Sequence, residues 1–295
     1  SMIVIGGGYI GCELAQMFSR LGVNVTIVFR SRLLPETEPE ISAALTGYFE
    51  DEGITVQRVD AYENIRTDDD GIALSVTIDG VVRTLEAQQV LLSAGRKANT
   101  DDMGLEDAGV ALSANGGIVI DERMRTTRSG VYAAGDVTGR DQFVYMAAYG
   151  AKIAASNAMN GDAKTYDNRA MPAVVFTDPQ VASVGVTEAG AMVQGIDTRI
   201  SVLSLDNIPR ALAARDTRGL IKLVADAATS KLIGAHILAP EGADSIQTAA
   251  IAIKQGMTYT DLGEMIFPYL TTVEGLKLAA QTFDMDVTKL SCCAG

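Results

Sequence analysis

The chain has 295 residues, 47% of them hydrophobic, and a formal net charge of −13. That length allows more than one domain with a large core, and the acidic balance argues against nucleic acid or an anionic membrane as partner, so any anionic ligand must be met by locally placed Arg or Lys. No apolar run approaches the roughly 18 residues of a membrane span, no basic, apolar leader is read, and three cysteines make no disulfide framework, so a reducing, cytoplasmic setting is expected.

The stretch that organises the chain is Ile3-Val4-Ile5-Gly6-Gly7-Gly8-Tyr9-Ile10-Gly11-Cys12-Glu13-Leu14-Ala15. Three apolar residues read as a buried strand, Gly6, Gly8 and Gly11 fit G-x-G-x-x-G, and a helical periodicity runs on to Leu21. This is the strand–turn–helix setting of a dinucleotide site: one glycine for the tight turn, one for approach of a pyrophosphate, one for close helix–strand packing. The free N–H groups and positive dipole end of the helix would face the phosphates. Cys12, at the helix start, reads as a packed side chain rather than a reactive thiol.

Residues 23–29 form a second strand after the Gly22 stop and complete a βαβ pattern. NAD-binding units carry an acid near the end of this strand for the ribose 2′-hydroxyl. Here the strand ends Phe29-Arg30-Ser31-Arg32, and two guanidinium groups suit a 2′-phosphate, so the expected nucleotide is NADP(H). A helix is expected over 40–52 and a strand over 54–59. The alternation from 62 to 88, around Asp68-Asp69-Asp70-Gly71 and Asp79-Gly80, predicts antiparallel hairpins. Val90-Leu91-Leu92-Ser93-Ala94-Gly95-Arg96 reads as a buried strand entering a loop, which closes a first domain at residue 97.

Residues 98–165 change in style. Short strands are predicted at 117–121 and 130–136 and a helix over 144–159, as part of a larger domain. Residues 166–295 predict strands at 173–177, 182–186, 199–205, 220–225 and 232–238, with helices at 246–254 and 272–283: an α+β domain with an antiparallel sheet. His236, the chain's only histidine, falls in one of these strands and reads as packed.

Gly6-x-Gly8-x-x-Gly11-x-Glu13, Ala94-Gly95-Arg96 and Tyr132-Ala133-Ala134-Gly135-Asp136, in this order, resemble the pyridine nucleotide–disulfide oxidoreductases. The resemblance covers essentially the whole chain. It implies an α/β dinucleotide-binding domain at 1–97, the remainder of an FAD domain at 98–165, and a dimerisation domain at 166–295 that builds a homodimer. It also implies that the first motif, with Glu13, binds NADPH, that Gly95 belongs to the cofactor site, that Asp136 bonds the FAD ribityl chain, and that the backbone N–H of Val144 meets the flavin. Many members of that family carry His-Pro and a nearby Glu as a general-base pair; here those positions are Phe267 and Thr272.

The segment Phe267-Pro268-Tyr269-Leu270-Thr271 and the ending Leu290-Ser291-Cys292-Cys293-Ala294-Gly295 resemble the members of the family that reduce Hg(II) to Hg(0). Adjacent thiolates are good ligands for a soft cation, so Cys292 and Cys293 are the metal-binding candidates. The resemblance further gives Tyr269 a role in transferring Hg(II) to the partner subunit and places Tyr9 on the nicotinamide path. Against that family the chain reads as a C-terminal portion without the first FAD fingerprint and the C-x-x-x-x-C redox pair, so it is expected to bind Hg(II) without reducing it. Two other readings stay open: a different FAD-dependent NAD(P)H disulfide reductase, and a non-catalytic NADP-binding homodimer that sequesters Hg(II).

Overall fold

The computed structural model describes residues 1–68 and 71–287. It comprises two compact units, residues 1–94 with 169–295, and residues 95–168.

The chain opens with β1 (Met2–Ile5), α1 (Tyr9–Arg20), β2 (Val25–Phe29), α2 (Pro39–Asp51) and β3 (Thr55–Arg58), then β4 (Ala61–Asp68), β5 (Gly71–Ile78), β6 (Val81–Ala87) and β7 (Gln89–Leu92). β3, β2, β1 and β7 form a parallel sheet in that order, with Ile3 opposite Thr26 on one side and Val90 on the other. β4, β5 and β6 form an antiparallel sheet, as the 62–88 alternation predicts. The pleat sorts the apolar residues of the parallel sheet by parity. Val4, Val25, Ile27 and Phe29 pack with Cys12, Ala15, Ile41, Leu45 and Phe49 of the two helices. Ile3, Ile5 and Val28 point the other way, onto Leu74 and Val76 of the antiparallel sheet. The parallel sheet is thus buried on both faces, each full Leu, Ile or Val burial contributing about 1.5–3 kcal/mol.

In residues 95–168 the regular elements are a 3₁₀ turn, Asp136–Thr138, and α3 (Val144–Asn160). The strands expected at 117–121 and 130–136 are not formed: among the described residues each segment makes a single bridge, Leu112 with Ile118 and Arg125 with Tyr132. Gly116, Gly130 and Gly135 take φ of +82°, +76° and +81°, which ends each extended run before a ladder can grow. Side chains replace the ladder. Asp162 accepts from Arg125 and the Tyr132 hydroxyl, and the buried Asn157 bonds the Arg123 and Lys164 carbonyls.

The first unit resumes with β8 (Pro172–Val175), β9 (Gln180–Gly185), α4 (Glu188–Val193), β10 (Thr198–Ser204), α5 (Pro209–Ala214), β11 (Leu220–Asp226), β12 (Leu232–Ala239), α6 (Gly242–Gln255), α7 (Tyr259–Glu264) and α8 (Glu274–Gln281). The antiparallel sheet runs β10-β11-β12-β9-β8. The expected α+β character holds, and α4, α5 and α7 are additions the sequence reading did not contain. α6 and α8 pack on this sheet around Leu203, Ile221, Leu223, Ile237 and Leu276.

Val175, Val181 and Leu238 of this sheet also belong to the core of α1 and α2. Polar contacts reinforce the join. Glu13, Gln16 and Arg20 lie on one face of α1, at helical spacing. Glu13 Oε1 accepts the Phe176 N–H at 2.8 Å, Gln16 exchanges two 2.8 Å bonds with the Asp178 backbone, and Arg20 pairs with the Asp178 carboxylate at 2.9 Å.

Candidate functional site

The three glycines of the turn do different things. Gly6 has φ +113°, and a Cβ there would lie 2.4 Å from the Ser93 carbonyl oxygen on the strand-end loop of β7. A Cβ on Gly11 would lie 2.0 Å from the Gly6 carbonyl oxygen. Both are required by the protein's own packing. Gly8 is not: its backbone is extended, φ −81° and ψ −171°, and an added Cβ would meet nothing within 4 Å among the described residues. Bare backbone at Gly8 therefore serves the space outside the turn. Gly8 is the N-cap of α1, and no side chain caps that helix end. An uncapped helix N-terminus behind an open glycine fits a pyrophosphate.

The loop after β2 carries the two arginines. Arg30 is exposed. Arg32 turns inward: one guanidinium nitrogen donates to the Pro35 and Thr37 carbonyls at 2.8 and 2.7 Å. The same loop is tied to the glycine turn by the Leu34 N–H, which donates to the Gly7 carbonyl at 2.7 Å. Arg32 thus braces the loop, while Arg30 stands at its outer edge. Glu13 is committed to the Phe176 N–H. Tyr9 packs against the core of α1 and α2, and burial, with Glu36 nearby, raises its hydroxyl pKa.

In the second unit, Gly95 takes φ +114° and Asp136 opens the 3₁₀ turn. Arg96 donates to Asp136 Oδ2 at 2.9 Å, a pairing sequence reading missed because the two are forty positions apart. Val144 is the first residue of α3, 85% exposed, and no side chain caps that helix. Its backbone N–H opens the helix, the position the flavin contact would need.

The remaining candidates separate cleanly. Phe267 packs partly against the sheet core, and the Thr272 hydroxyl donates to Glu241, which pairs with Arg210 at 3.2 Å. Neither side chain can move a proton. His236 is buried on β12, its Nε2 within 3.0 Å of the Val186 carbonyl and its Nδ1 without a partner among the described residues. Burial lowers its pKa, which keeps the ring neutral. Cys12 is fully buried, its thiol donating to the Gly7 carbonyl at 3.5 Å, and burial pushes it up to about 12, so the packed reading holds. Tyr269 is exposed. Cys292 and Cys293 lie outside the described residues. Among the described residues no cluster of His, Cys, Asp and Glu could hold a metal ion, and no helix is long and apolar enough to cross a membrane.

Residues 1–155 match the pyridine nucleotide-disulphide oxidoreductase family, and residues 171–280 match its dimerisation domain. The chain belongs to the pyridine nucleotide-disulphide oxidoreductase family. Membership in this oxidoreductase family implies a pyridine nucleotide and FAD as cofactors. Relatives within it include the mercuric reductase of Bacillus cereus, 48% identical over the whole of this chain and 47% of its own length. The mercuric reductase of Streptomyces lividans is 47% identical, again over the whole chain and 62% of its own length. The chain spans about half the length of the curated relatives it matches. Among solved family structures, LpdA from Mycobacterium tuberculosis superposes with a TM-score of 0.86 at 28% identity, covering 96% of this chain and 61% of its own. The HOCl-induced flavoprotein disulfide reductase RclA from Escherichia coli gives 0.83 at 30%, covering 95% and 64%.

Proposed function

We propose that this chain is the nucleotide-binding and dimerisation portion of a mercuric reductase. The overall reaction is NADPH plus Hg(II) giving NADP⁺, a proton and Hg(0). The observation that carries the reading is 45–50% identity to mercuric reductases along the entire chain. Two features support it over thiol–disulfide exchange with a histidine base: Phe267 stands at the sequence position of that base, and the only histidine is buried.

In this reading the glycine turn and α1 hold the NADPH pyrophosphate and Arg30 meets its 2′-phosphate, with Arg32 bracing the loop behind it. Tyr9 lines the nicotinamide path, and Glu13 steadies α1 from the side through Phe176. Asp136 and the first N–H groups of α3 at Val144 are the groups of residues 95–168 that would hold FAD, beside Gly95. Bound there, FAD would relay reducing equivalents from the nucleotide to the metal. Cys292 and Cys293 collect Hg(II) as substrate, since two thiolates satisfy a soft two-coordinate ion. Tyr269, exposed on the turn before α8, assists its transfer between subunits of a homodimer built on residues 166–295, a reading supported by the dimerisation-domain match over 171–280. The domain limits read from the sequence, at residues 97 and 165, and a cytoplasmic setting accompany this reading.

The test is Hg(II) stoichiometry by equilibrium dialysis for the chain and for the Cys292→Ala, Cys293→Ala double variant. One ion per chain, lost in the double variant, is expected. Unchanged stoichiometry would remove the tail from the reading. NADPH-dependent release of Hg(0) is measured in the same protein in its full-length form, and no release there overturns the reductase assignment.

A further inference from the structure

Glu38 is the N-cap of α2, and it is 1% exposed. It meets Lys222 of β11, also 1% exposed, whose ammonium donates to Glu38 Oε2 at 3.0 Å, to Glu40 at 2.9 Å and to Glu188 at 2.9 Å. Glu38 Oε1 takes the Glu188 N–H at 2.7 Å and lies 3.7 Å from His236 Nε2. All three ammonium donors are therefore used. Burial pulls the Lys222 pKa down, but three carboxylates outweigh it, and the net displacement is upward, so the group stays charged. A buried ion pair of this kind adds little net stability, yet losing Lys222 leaves the buried Glu38 carboxylate without its counter-charge. What it supplies is position: Glu38 has one place to be.

That place matters because Glu38 ends the loop that begins at Arg30. Between them the chain has little slack. Arg32 holds the Pro35 and Thr37 carbonyls, and the Thr37 hydroxyl donates to the Leu34 carbonyl at 2.9 Å. Ser42 of α2 donates to the Leu33 carbonyl at 2.6 Å, and the Leu34 N–H holds Gly7. Leu33 and Leu34 are fully buried. Lys222 and Glu188 come from the sheet and helix of residues 169–295, so a continuous series of bonds runs from there to the glycine turn and to the base of Arg30.

We infer that Lys222 is a positioning residue for recognition of the nucleotide 2′-phosphate: by fixing Glu38 it fixes the 30–37 loop and the reach of Arg30. The inference rests on the reading of Arg30 as the 2′-phosphate contact. A purely structural tie between the two parts of the unit would affect NADPH and NADH alike. A positioning role affects only the nucleotide that carries the extra phosphate.

Binding of NADPH, NADH and 2′,5′-ADP to the 295-residue chain is measured by calorimetry for wild type, Arg30→Ala, Lys222→Met, Lys222→Arg and Glu38→Gln, with the near-ultraviolet circular dichroism of each variant recorded. Lys222→Met is expected to reduce the NADPH-over-NADH preference about two- to thirtyfold, the range typical of residues that act through others. NADH affinity should stay as in wild type, 2′,5′-ADP should weaken in parallel with NADPH, and Lys222→Arg should recover part of the preference. Should Lys222→Met not fold, Glu38→Gln carries the same expectation with almost unchanged shape. Equal losses for both nucleotides, or an unchanged preference in a folded variant while Arg30→Ala abolishes it, overturn the inference alone. No NADPH preference in wild type overturns the Arg30 reading and this inference with it.

Discussion

Arg96 holds the carboxylate expected to bond the FAD ribityl chain: its guanidinium lies 2.9 Å from Asp136 Oδ2, with the two side chains about half exposed, at 53% and 45%. The pair joins Gly95-Arg96 to Gly135-Asp136 within residues 95–168. An ion pair this wet contributes little to folding, about 0–1 kcal/mol. Arg96→Ala should therefore leave chemical unfolding nearly unchanged while altering flavin retention in the full-length protein, read from the flavin-to-protein absorbance ratio. A stability loss well above that range would recast Arg96 as a folding residue.

Arg30→Ala should weaken NADPH about ten- to a hundredfold, the loss of one charge-assisted phosphate contact, and leave NADH unchanged. Arg32→Ala should differ. Its bonds go to the Pro35 and Thr37 carbonyls, so it should lower thermal stability as well as NADPH affinity. Titration of both nucleotides against the two variants separates a ligand contact from a brace.

Gly8→Ala and Gly11→Ala make an informative pair. At Gly8 a methyl meets no atom of the described residues within 4 Å, so unfolding should move by no more than about 1 kcal/mol, the scale of a change at an N-cap, while nucleotide affinity drops. At Gly11 the methyl would lie 2.0 Å from a backbone oxygen, and about 1–3 kcal/mol of stability should be lost. Retained nucleotide affinity in Gly8→Ala would mean that the phosphate lies elsewhere.

His236 sets a pH dependence. Its pKa is held below the ordinary 6.5 by burial, against the pull of Glu38 and Glu40 and with Lys222 opposing protonation. Above that value the folded and unfolded forms are both neutral and the contribution is complete. As pH falls below it, the unfolded chain takes up a proton that the folded chain resists, so stability declines. Urea unfolding from about pH 7.5 to about pH 5.5 should show this decline, and His236→Asn should flatten it. Glu40 titrates outside this interval: despite partial burial, Lys222 holds it below the ordinary 4.5.

Cys12 should resist thiol reagents in the folded chain. With a pKa pushed up to about 12 and no exposed surface, it offers almost no thiolate at neutral pH. In the Cys292→Ala, Cys293→Ala background, no label should be taken up until denaturant is added. Rapid labelling of the native double variant would show that α1 opens at its start.

What the sequence by itself determined is local. The βαβ order around Gly6, Gly8 and Gly11, the hairpins between 62 and 88 and the five strands after residue 171 follow from periodicity and turn residues within a few positions of each other. Local pattern misled where it needed a neighbour: 117–121 and 130–136 have the composition of strands, yet each finds only a single bridge. Tertiary structure alone decided which charged residues are contacts and which are braces. Arg30 and Arg32 look equivalent in sequence, and only the path of the loop turns one guanidinium back onto the Pro35 and Thr37 carbonyls. Glu38 and Lys222 are separated by 184 positions, and nothing near either announces the other. Their pairing exists because the sheet carrying β11 packs against α2, so that two charges otherwise costly to bury meet where water is excluded.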